Sequence, residues 1–188
     1  MPATRLLVVF GTYHGQTERI ANAMADVLRK RGDFVTVINV KKMPRSLAPG
    51  DYDGVLIGGS IQFSHHQRSL RAFVRAQRAT LNAMPSAFFS VSGSGAARTS
   101  AARSKAEGYV AEFLSETGWR PSATAVFGGA VAYTKYNPIL RWVMRRIAAK
   151  SGQPTDTSRD HSLTDWAEVE RFSTAFASRI AHTTTDRP

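Results

Sequence analysis

Residues 10–17, FGTYHGQT, and the segments on either side of them carry the clearest indication of the fold class. Residues 5–10 (RLLVVF) form a short apolar run rich in β-formers, as expected of a strand buried on both faces. Residues 15–31 repeat apolar side chains with the period of an amphipathic helix. A loop between a buried strand and a helix N-terminus is where α/β proteins hold phosphate groups. The stretch therefore predicts an α/β fold with a phosphate site at this loop.

The residues of the loop narrow the choice of phosphate ligand. A Walker A loop has a lysine after its second glycine, but Gln16 follows Gly15 here, which argues against a nucleoside triphosphate. A dinucleotide fingerprint needs three spaced glycines and an acidic residue after the second strand, and the sequence has neither. The single phosphate of FMN needs only hydroxyls, here those of Thr12 and Thr17, and free helix N–H groups. FMN is thus the predicted cofactor. The predicted contacts in this loop are Thr12, Tyr13, His14, Gly15, Gln16 and Thr17.

The rest of the chain alternates strand-like and helix-like segments. This alternation predicts parallel strands joined by right-handed crossovers, with helices on both faces of one sheet. We expect a single domain over residues 1–182 and a frayed tail over 183–188. The predicted strands are 5–10, 34–40, 52–58, 86–91 and 123–127, and the predicted helices are 15–31, 66–81, 101–117 and 164–181. In the last helix, Trp166, Val169, Phe172, Phe176 and Ile180 are predicted to face inward.

The chain is strongly basic. Its 25 Lys and Arg residues against 14 Asp and Glu residues give a formal net charge of +11, which indicates an anionic partner. No recognised nucleic-acid motif is present, so a membrane surface or an acidic small molecule is the better expectation. The sequence contains no cysteine, which excludes disulfides, thiolate metal sites and cysteine nucleophiles and fits a cytosolic protein.

Motifs spread over nearly the whole chain resemble one branch of the flavodoxin-like superfamily, the menaquinone-dependent protoporphyrinogen IX dehydrogenases (oxidases). TYHGQT (12–17) is similar to the Thr/Ser-x-x-Gly-x-Thr phosphate loop of flavodoxins. The resemblance implies a flavodoxin-like three-layer α/β sandwich, with a five-stranded parallel sheet in the order 2-1-3-4-5 and one noncovalent FMN. The other matching pieces are YDGVLIGGSIQFSHH (52–66), NAMPSAFFSV (82–91), WRPSATAVFGGAVAY (119–133) and SGQPTDTSRDHSLTDW (151–166).

The same resemblance implies an activity in haem biosynthesis. The reaction is FMN-dependent oxidation of protoporphyrinogen IX to protoporphyrin IX, with electrons passed to a respiratory quinone. The flavin carries the redox chemistry, so we expect no catalytic side chain and no metal. Two alternatives stay open: an electron-carrier flavodoxin, or an FMN quinone reductase that uses NAD(P)H. Typical flavodoxins are acidic, so the charge of +11 argues against the carrier. The expected location is the cytoplasm, with peripheral contact to the inner face of the cell membrane.

Two further loops are expected to hold the flavin ring. After the third strand, Phe63 is predicted either to stack on the isoalloxazine or to anchor the loop in the core. Of the two adjacent histidines, His65 is preferred as a flavin or substrate contact, and without a third ligand the pair does not predict a metal site. After the fourth strand, the resemblance places Ser92 and Gly93 at the ring edge. The predicted ring contacts are Ser60, Ile61, Gln62, Phe63, His65, Ser92 and Gly93.

Two basic segments flank the predicted pocket. The loop 94–105 lies where the resembling family has an extended basic loop, here rich in Ala, Ser and Gly. Residues 133–151 predict a basic amphipathic helix, whose apolar face either packs on the sheet or lies on an anionic membrane. The residues assigned to a substrate or membrane surface are Arg98, Arg103, Lys105, Arg141, Arg145 and Arg146.

Overall fold

Five parallel strands form the central sheet of the computed structural model, which describes residues 3–44, 46–96, 99–131, 133–135, 137–150 and 155–185. These strands are β1 (Arg5–Gly11), β2 (Phe34–Asn39), β3 (Gly54–Gln62), β5 (Ser86–Ser92) and β6 (Ala123–Gly128). Three short strands complete the set: β4 (His65–His66), β7 (Ala130–Val131) and β8 (His161–Ser162). The spatial order is β2-β1-β3-β5-β6, while β4 folds back antiparallel on β3 and β7 pairs with β8. With the short β4 left out of the numbering, this is the predicted order 2-1-3-4-5.

Helices cover both faces of the sheet. They are α1 (Gln16–Lys30), α2 (Arg68–Ala76), α3 (Arg78–Asn82), α4 (Ser100–Thr117), α5 (Pro138–Lys150) and α6 (Trp166–Thr185). Short 3-10 turns lie at Val40–Lys42, Pro49–Asp51, Ser94–Ala96 and Tyr133–Lys135. None of the helices in the described part of the chain is long and apolar enough to cross a membrane.

Two apolar cores lie on opposite faces of the sheet because successive side chains of a strand point to opposite sides. On one face, Leu6 and Val8 of β1 pack with Met24 of α1 and Phe176 of α6. On the other face, Leu7 and Val9 pack with Leu70 and Val74 of α2 and Phe113 of α4. Each fully buried residue of this size contributes about 1.5–3 kcal/mol to the stability of the fold. The predicted three-layer sandwich is thereby confirmed.

Several bounds and one residue predicted to face inward differ from the sequence prediction. The third strand, predicted over 52–58, runs over Gly54–Gln62. The helix predicted over 66–81 begins only at Arg68, because His66 belongs to β4, and it breaks at Gln77 into α2 and α3. Trp166, predicted to face inward, is the first residue of α6 and is 40% exposed. Helix α6 runs to Thr185, so the tail predicted over 183–188 starts within a helix, and 186–188 lie outside the described residues.

Candidate functional site

A small cavity lies at the carboxyl ends of β1, β3 and β5, where ligands bind in open parallel sheets. Its volume is about 70 Å³, and it opens beside the first loop. A larger groove of about 550 Å³ runs along the outer edge of β6, away from the strand ends. The smaller cavity is the functional candidate, because it gathers residues at or just after the carboxyl ends of four strands, β1, β3, β5 and β6. They are Thr12, Tyr13, His14, Gln16, Thr17, Ser60, Ile61, Val91, Ser92, Gly93, Gly129 and Ala130.

The first loop turns sharply into α1. Gly15 precedes the helix with φ 92°, a left-handed conformation that glycine adopts without steric cost. Thr12 Oγ1 accepts a hydrogen bond from the Gly15 N–H at 2.9 Å, which closes the loop on itself. Glycine has no side chain that could cap α1, and the first-turn N–H groups of a helix have no partner within that helix. The loop therefore presents backbone donors and the positive end of a helix dipole to an anion.

Two hydroxyls at the cavity are buried and have no hydrogen-bond partner among the described residues. They are Thr17 Oγ1, on a residue with no exposed surface, and Ser60 Oγ at the end of β3. An unpaired buried hydroxyl costs about 1–3 kcal/mol, so native proteins seldom keep one without a reason. An acceptor oxygen from a bound phosphate or ribityl chain would satisfy both hydroxyls. These residues therefore fit a flavin nucleotide.

Gln16 links the first loop to the segment that precedes α6. Its Nε2 donates to Thr164 Oγ1 at 2.8 Å and to Ser162 Oγ at 3.0 Å. Thr164 Oγ1 in turn donates to the Gly128 carbonyl at 2.6 Å. The side chain of Gln16, which was predicted as a cofactor contact, is thus used as a structural link, and its backbone N–H remains at the start of α1.

The loop after β3 is a tight hairpin with two residues in the left-handed region. Phe63 has φ 49° and Ser64 has φ 67°, while Gln62 pairs with His65 on either side of them. A bulky residue at positive φ is strained. The Phe63 side chain is 90% exposed at the hairpin tip, so the alternative that it anchors the loop in the core is wrong.

The two histidines of β4 point in different directions. His65 Nδ1 lies 3.3 Å from Glu112 Oε1 on α4, and the side chain is outside the cavity lining. His66 is buried, with Nε2 3.0 Å from Ser90 Oγ and its ring against those of Phe88 and Phe113. Burial first, and then the charges of Arg71 and His65, lower the pKa of His66 to about 3. His66 is therefore neutral at physiological pH and belongs to the core.

The turn after β5 is held by Ser92. Its Oγ accepts the Gly95 N–H at 3.1 Å, and its carbonyl accepts the Gly129 N–H at 2.9 Å. These bonds hold the ends of β5 and β6 side by side at the cavity. Gly129 and Ala130 line it as well. The sequence prediction does not include either residue, although both lie within the matching piece WRPSATAVFGGAVAY (119–133).

The structure thus brings together most, but not all, of the predicted cofactor residues. Those that line the cavity are Thr12, Tyr13, His14, Gln16, Thr17, Ser60, Ile61, Ser92 and Gly93. Gly15 lies within the same loop without lining the cavity. Gln62, Phe63 and His65 lie on the hairpin beyond the lining residues.

The predicted basic residues separate into two places. Arg103 Nε bonds Glu107 Oε1 at 3.1 Å on α4, beside the outer edge of β6. Lys105 is exposed on the same helix, and Arg98 lies outside the described residues. The other three, Arg141, Arg145 and Arg146, belong to α5.

Helix α5 leaves apolar side chains in solvent. Ile139 is 78% exposed, Trp142 60% and Ile147 50%. Among the described residues, the inner side of the helix packs in a small cluster, in which Met144 and Ala148 meet Tyr133 and Leu163. The alternative that the apolar face packs on the sheet is therefore wrong for these exposed residues. Arg145 and Arg146 are exposed beside them, with the Arg146 guanidinium 5.1 Å from the Trp142 ring centre.

Comparison with known proteins agrees with this geometry. Residues 7–158 match the family model described as a flavodoxin domain. The fold resembles oxidised flavodoxin 1 from Bacillus cereus, with a TM-score of 0.57 and 18% identity over 93% of this chain and 97% of that one. A flavodoxin from the domain Archaea gives a TM-score of 0.56 at 16% identity, covering 95% of this chain and 99% of that one. The flavodoxin domain indicates a flavin cofactor.

Two relatives of higher identity are named for one enzymatic activity. The protoporphyrinogen IX dehydrogenase (quinone) of Escherichia coli K12 is 36% identical over 185 residues, 98% of each chain. The protein of that name from Leishmania major is 33% identical over 178 residues, which is 93% of this chain and 75% of that one. The chain therefore belongs to the flavodoxin domain family and, within it, to the family of protoporphyrinogen IX dehydrogenases (quinone).

Proposed function

We propose that this protein oxidises protoporphyrinogen IX to protoporphyrin IX, with FMN as its cofactor and a respiratory quinone as the electron acceptor. The observation that carries the proposal is full-length similarity to proteins named for this reaction. The buried, unpaired hydroxyls at the strand ends support a flavin nucleotide in particular. The loss of six hydrogen atoms by the porphyrinogen balances the reduction of three quinones to quinols.

The first loop is proposed to hold the FMN phosphate. Thr17 Oγ1 and the first-turn N–H groups of α1 donate to phosphate oxygens, because the hydroxyl has no acceptor among the described residues and first-turn N–H groups have none within their own helix. Thr12 acts by shaping the loop, since its oxygen already accepts the Gly15 N–H. The backbones of Tyr13 and His14 complete the phosphate contacts.

The loops after β3 and β5 are proposed to hold the rest of the cofactor. Ser60 Oγ donates to the ribityl chain or ring, while Ile61, Ser92 and Gly93 border the ring. When bound, FMN would supply the redox chemistry that no side chain of this site can provide. Phe63 is proposed to contact the flavin or the substrate from the hairpin tip, because a strained and exposed aromatic ring contributes nothing to the core.

The activity is tested with the reconstituted protein under anaerobic conditions. We expect protoporphyrin fluorescence to appear when the flavin-loaded protein, protoporphyrinogen IX and a soluble quinone are combined. Omitting the quinone should limit the yield to at most one protoporphyrin for every three flavins, because each FMN accepts two of the six electrons released. Free FMN with quinone gives the background. A folded, flavin-loaded protein that never exceeds this background would contradict the proposal and favour an electron carrier.

The identity of the cofactor is tested separately. Flavin released from the purified or reconstituted protein by denaturation is separated chromatographically and compared with FMN, FAD and riboflavin. We expect FMN at close to one per chain. Bound FAD, or no flavin after incubation with excess FMN, would contradict the assignment.

We also propose that α5 rests on the anionic inner face of the cell membrane, where the quinone resides. The helix combines exposed Ile139, Trp142 and Ile147 with exposed Arg145 and Arg146, the composition of an interfacial helix. Each basic residue near an anionic surface adds about 1 kcal/mol to binding. Peripheral contact would bring the cytoplasmic protein within reach of its electron acceptor.

Vesicle sedimentation tests the membrane contact. The protein is expected to sediment with vesicles that contain phosphatidylglycerol and to stay in solution with neutral vesicles. Arg145→Glu/Arg146→Glu should reduce binding, as should Trp142→Ser/Ile147→Ser. The charge-matched control is Lys30→Glu/Lys41→Glu, which changes two exposed residues on other elements. Equal loss in the control would show a dependence on total charge alone and contradict the role of α5.

A further inference from the structure

The outer edge of β6 is open to solvent along an apolar groove. No strand pairs with β6 on the side opposite β5 over Ala123–Phe127 in the described part of the chain. The groove of about 550 Å³ is lined by Val110 and Leu114 of α4, by Phe172 of α6 and by the strand itself. Such an edge offers unpaired N–H and C=O groups to another strand.

The backbone of β6 shows which groups face outward. The Ser122 N–H donates to the Ser86 carbonyl on β5. In a parallel pair, alternate residues bond to the neighbouring strand, so Ala123 and Ala125 direct their backbone groups to the open edge. Both side chains are small, and the strand sequence ATAVFG has no proline or charged residue that would block a partner strand.

The opposite edge of the sheet, on β2, carries an arginine. There the outward carbonyl of Val35 accepts a hydrogen bond from Arg29 Nη2 at 2.9 Å. At the β6 end of the sheet, Arg179 Nη1 donates to the Ser122 carbonyl at 2.8 Å, one residue before the strand begins. The apolar groove lies along the β6 edge, so this edge is the one suited to pairing.

The rim of the groove is electrically balanced on an otherwise basic protein. Arg103 and Glu107 lie on α4, and Glu168 and Arg171 lie on α6, so each helix contributes one charge of each sign. The chain as a whole carries +11. A polyanion would be attracted to the basic surfaces elsewhere, whereas a balanced rim fits a surface with the same alternation of charge.

We infer that this groove is the interface of a symmetric homodimer in which β6 pairs antiparallel with β6 of a second copy. A two-fold axis perpendicular to the sheet makes the sheet continuous through both subunits. The same rotation sets α4 antiparallel to α4 and α6 antiparallel to α6. Arg103 then faces Glu107 of the second copy, and Glu168 faces Arg171, with both pairs repeated by symmetry.

This arrangement closes the open edge and covers the apolar groove while leaving the flavin cavity free. The cavity lies at the carboxyl ends of the strands, and the groove lies along their side. The inference does not depend on the proposed reaction, because it uses only the edge strand and the two helices that flank it.

Sedimentation velocity on the full-length protein over a range of concentrations tests the dimer. We expect a species of twice the chain mass that dissociates on dilution and on addition of salt. Arg103→Glu/Arg171→Glu makes the rim wholly acidic, and Glu107→Arg/Glu168→Arg makes it wholly basic. Each variant alone should raise the dimer dissociation constant at least about tenfold, because like charges then face each other.

Mixing the two variants provides the decisive measurement. The acidic-rim and basic-rim variants together should regain a dimer, since only opposite rims then meet. Arg145→Glu/Arg146→Glu on α5, a charge change away from the groove, should leave the dimer unaltered. Circular dichroism confirms that each variant is folded. A wild-type protein that stays monomeric at all concentrations, or a mixture that fails to associate, would overturn the inference.

Discussion

Replacing Thr17 with valine should weaken FMN binding while leaving the cofactor-free protein at least as stable as before. The Thr17 hydroxyl is fully buried and has no partner among the described residues. Valine keeps the branched shape and removes only the hydroxyl. Relief of an unpaired buried group is worth about 1–3 kcal/mol, so the unfolding free energy of the cofactor-free protein should rise or stay level.

For FMN binding, the same substitution should be unfavourable. A hydrogen bond from a hydroxyl to a charged phosphate contributes about 1.5–3 kcal/mol. Its loss should raise the FMN dissociation constant by about 10- to 150-fold. The measurements are a fluorescence titration of FMN for affinity and urea denaturation of the cofactor-free protein for stability.

Thr12→Val is the matched control, because Thr12 Oγ1 accepts the Gly15 N–H at 2.9 Å. Removing this acceptor should lower the stability of the cofactor-free protein by about 1 kcal/mol. The reasoning is refuted if Thr17→Val leaves FMN affinity unchanged, or if it destabilises the cofactor-free protein as much as Thr12→Val.

Three further predictions concern His66, Phe63 and Gln16. Because the folded-state pKa of His66 is about 3 and its ordinary value is 6.5, unfolding takes up a proton between these values. The stability contribution of neutral His66 is complete above pH 6.5 and falls below it by up to about 1.4 kcal/mol per pH unit. His66→Leu should flatten this slope in urea denaturation while His65→Asn does not, and parallel slopes for wild type and His66→Leu would contradict the role of burial. Phe63→Asn should raise the unfolding free energy by about 1 kcal/mol through relief of left-handed strain, and a lower thermal midpoint would count against it. Gln16→Leu should cost about 1–2 kcal/mol through loss of its links to Thr164 and Ser162, whereas Gln77→Leu, at the junction of α2 and α3, should have a smaller effect on the urea midpoint.

The sheet and its site loop were predictable because both depend on local pattern. Continuous apolar runs such as 5–10 indicate strands buried on both faces, and the helical period of 15–31 identifies the buried side of α1. The position of the first loop, between β1 and α1, follows from the strand–loop–helix order alone. Family resemblance supplied the strand order, which periodicity does not contain.

The remaining features depend on contacts between distant residues or on surfaces without a partner. In the sequence, Gln16 has the pattern of a loop residue. Its hydrogen bond to Thr164 spans 148 positions, so no local pattern predicts this bond. The direction of His65 follows from the hairpin at Phe63 and Ser64, a turn that ordinarily uses Asn or Gly. The period of α5 shows which residues share a face, but it does not show whether anything covers that face.

The bond between Gln16 and Thr164 has a consequence for how the protein is made. The first loop leaves the ribosome well before Thr164, which lies 148 positions after Gln16 and fixes the loop to the end of β6. The strands can assemble in succession, but closing a loop of this length must wait for the C-terminal part of the chain. A nascent chain released before Ser162 would carry the whole first loop and still lack the bonds that fix it. Capture of the flavin is therefore expected to follow synthesis of Thr164, and chains terminated before that residue should not draw on the cell's supply of the cofactor.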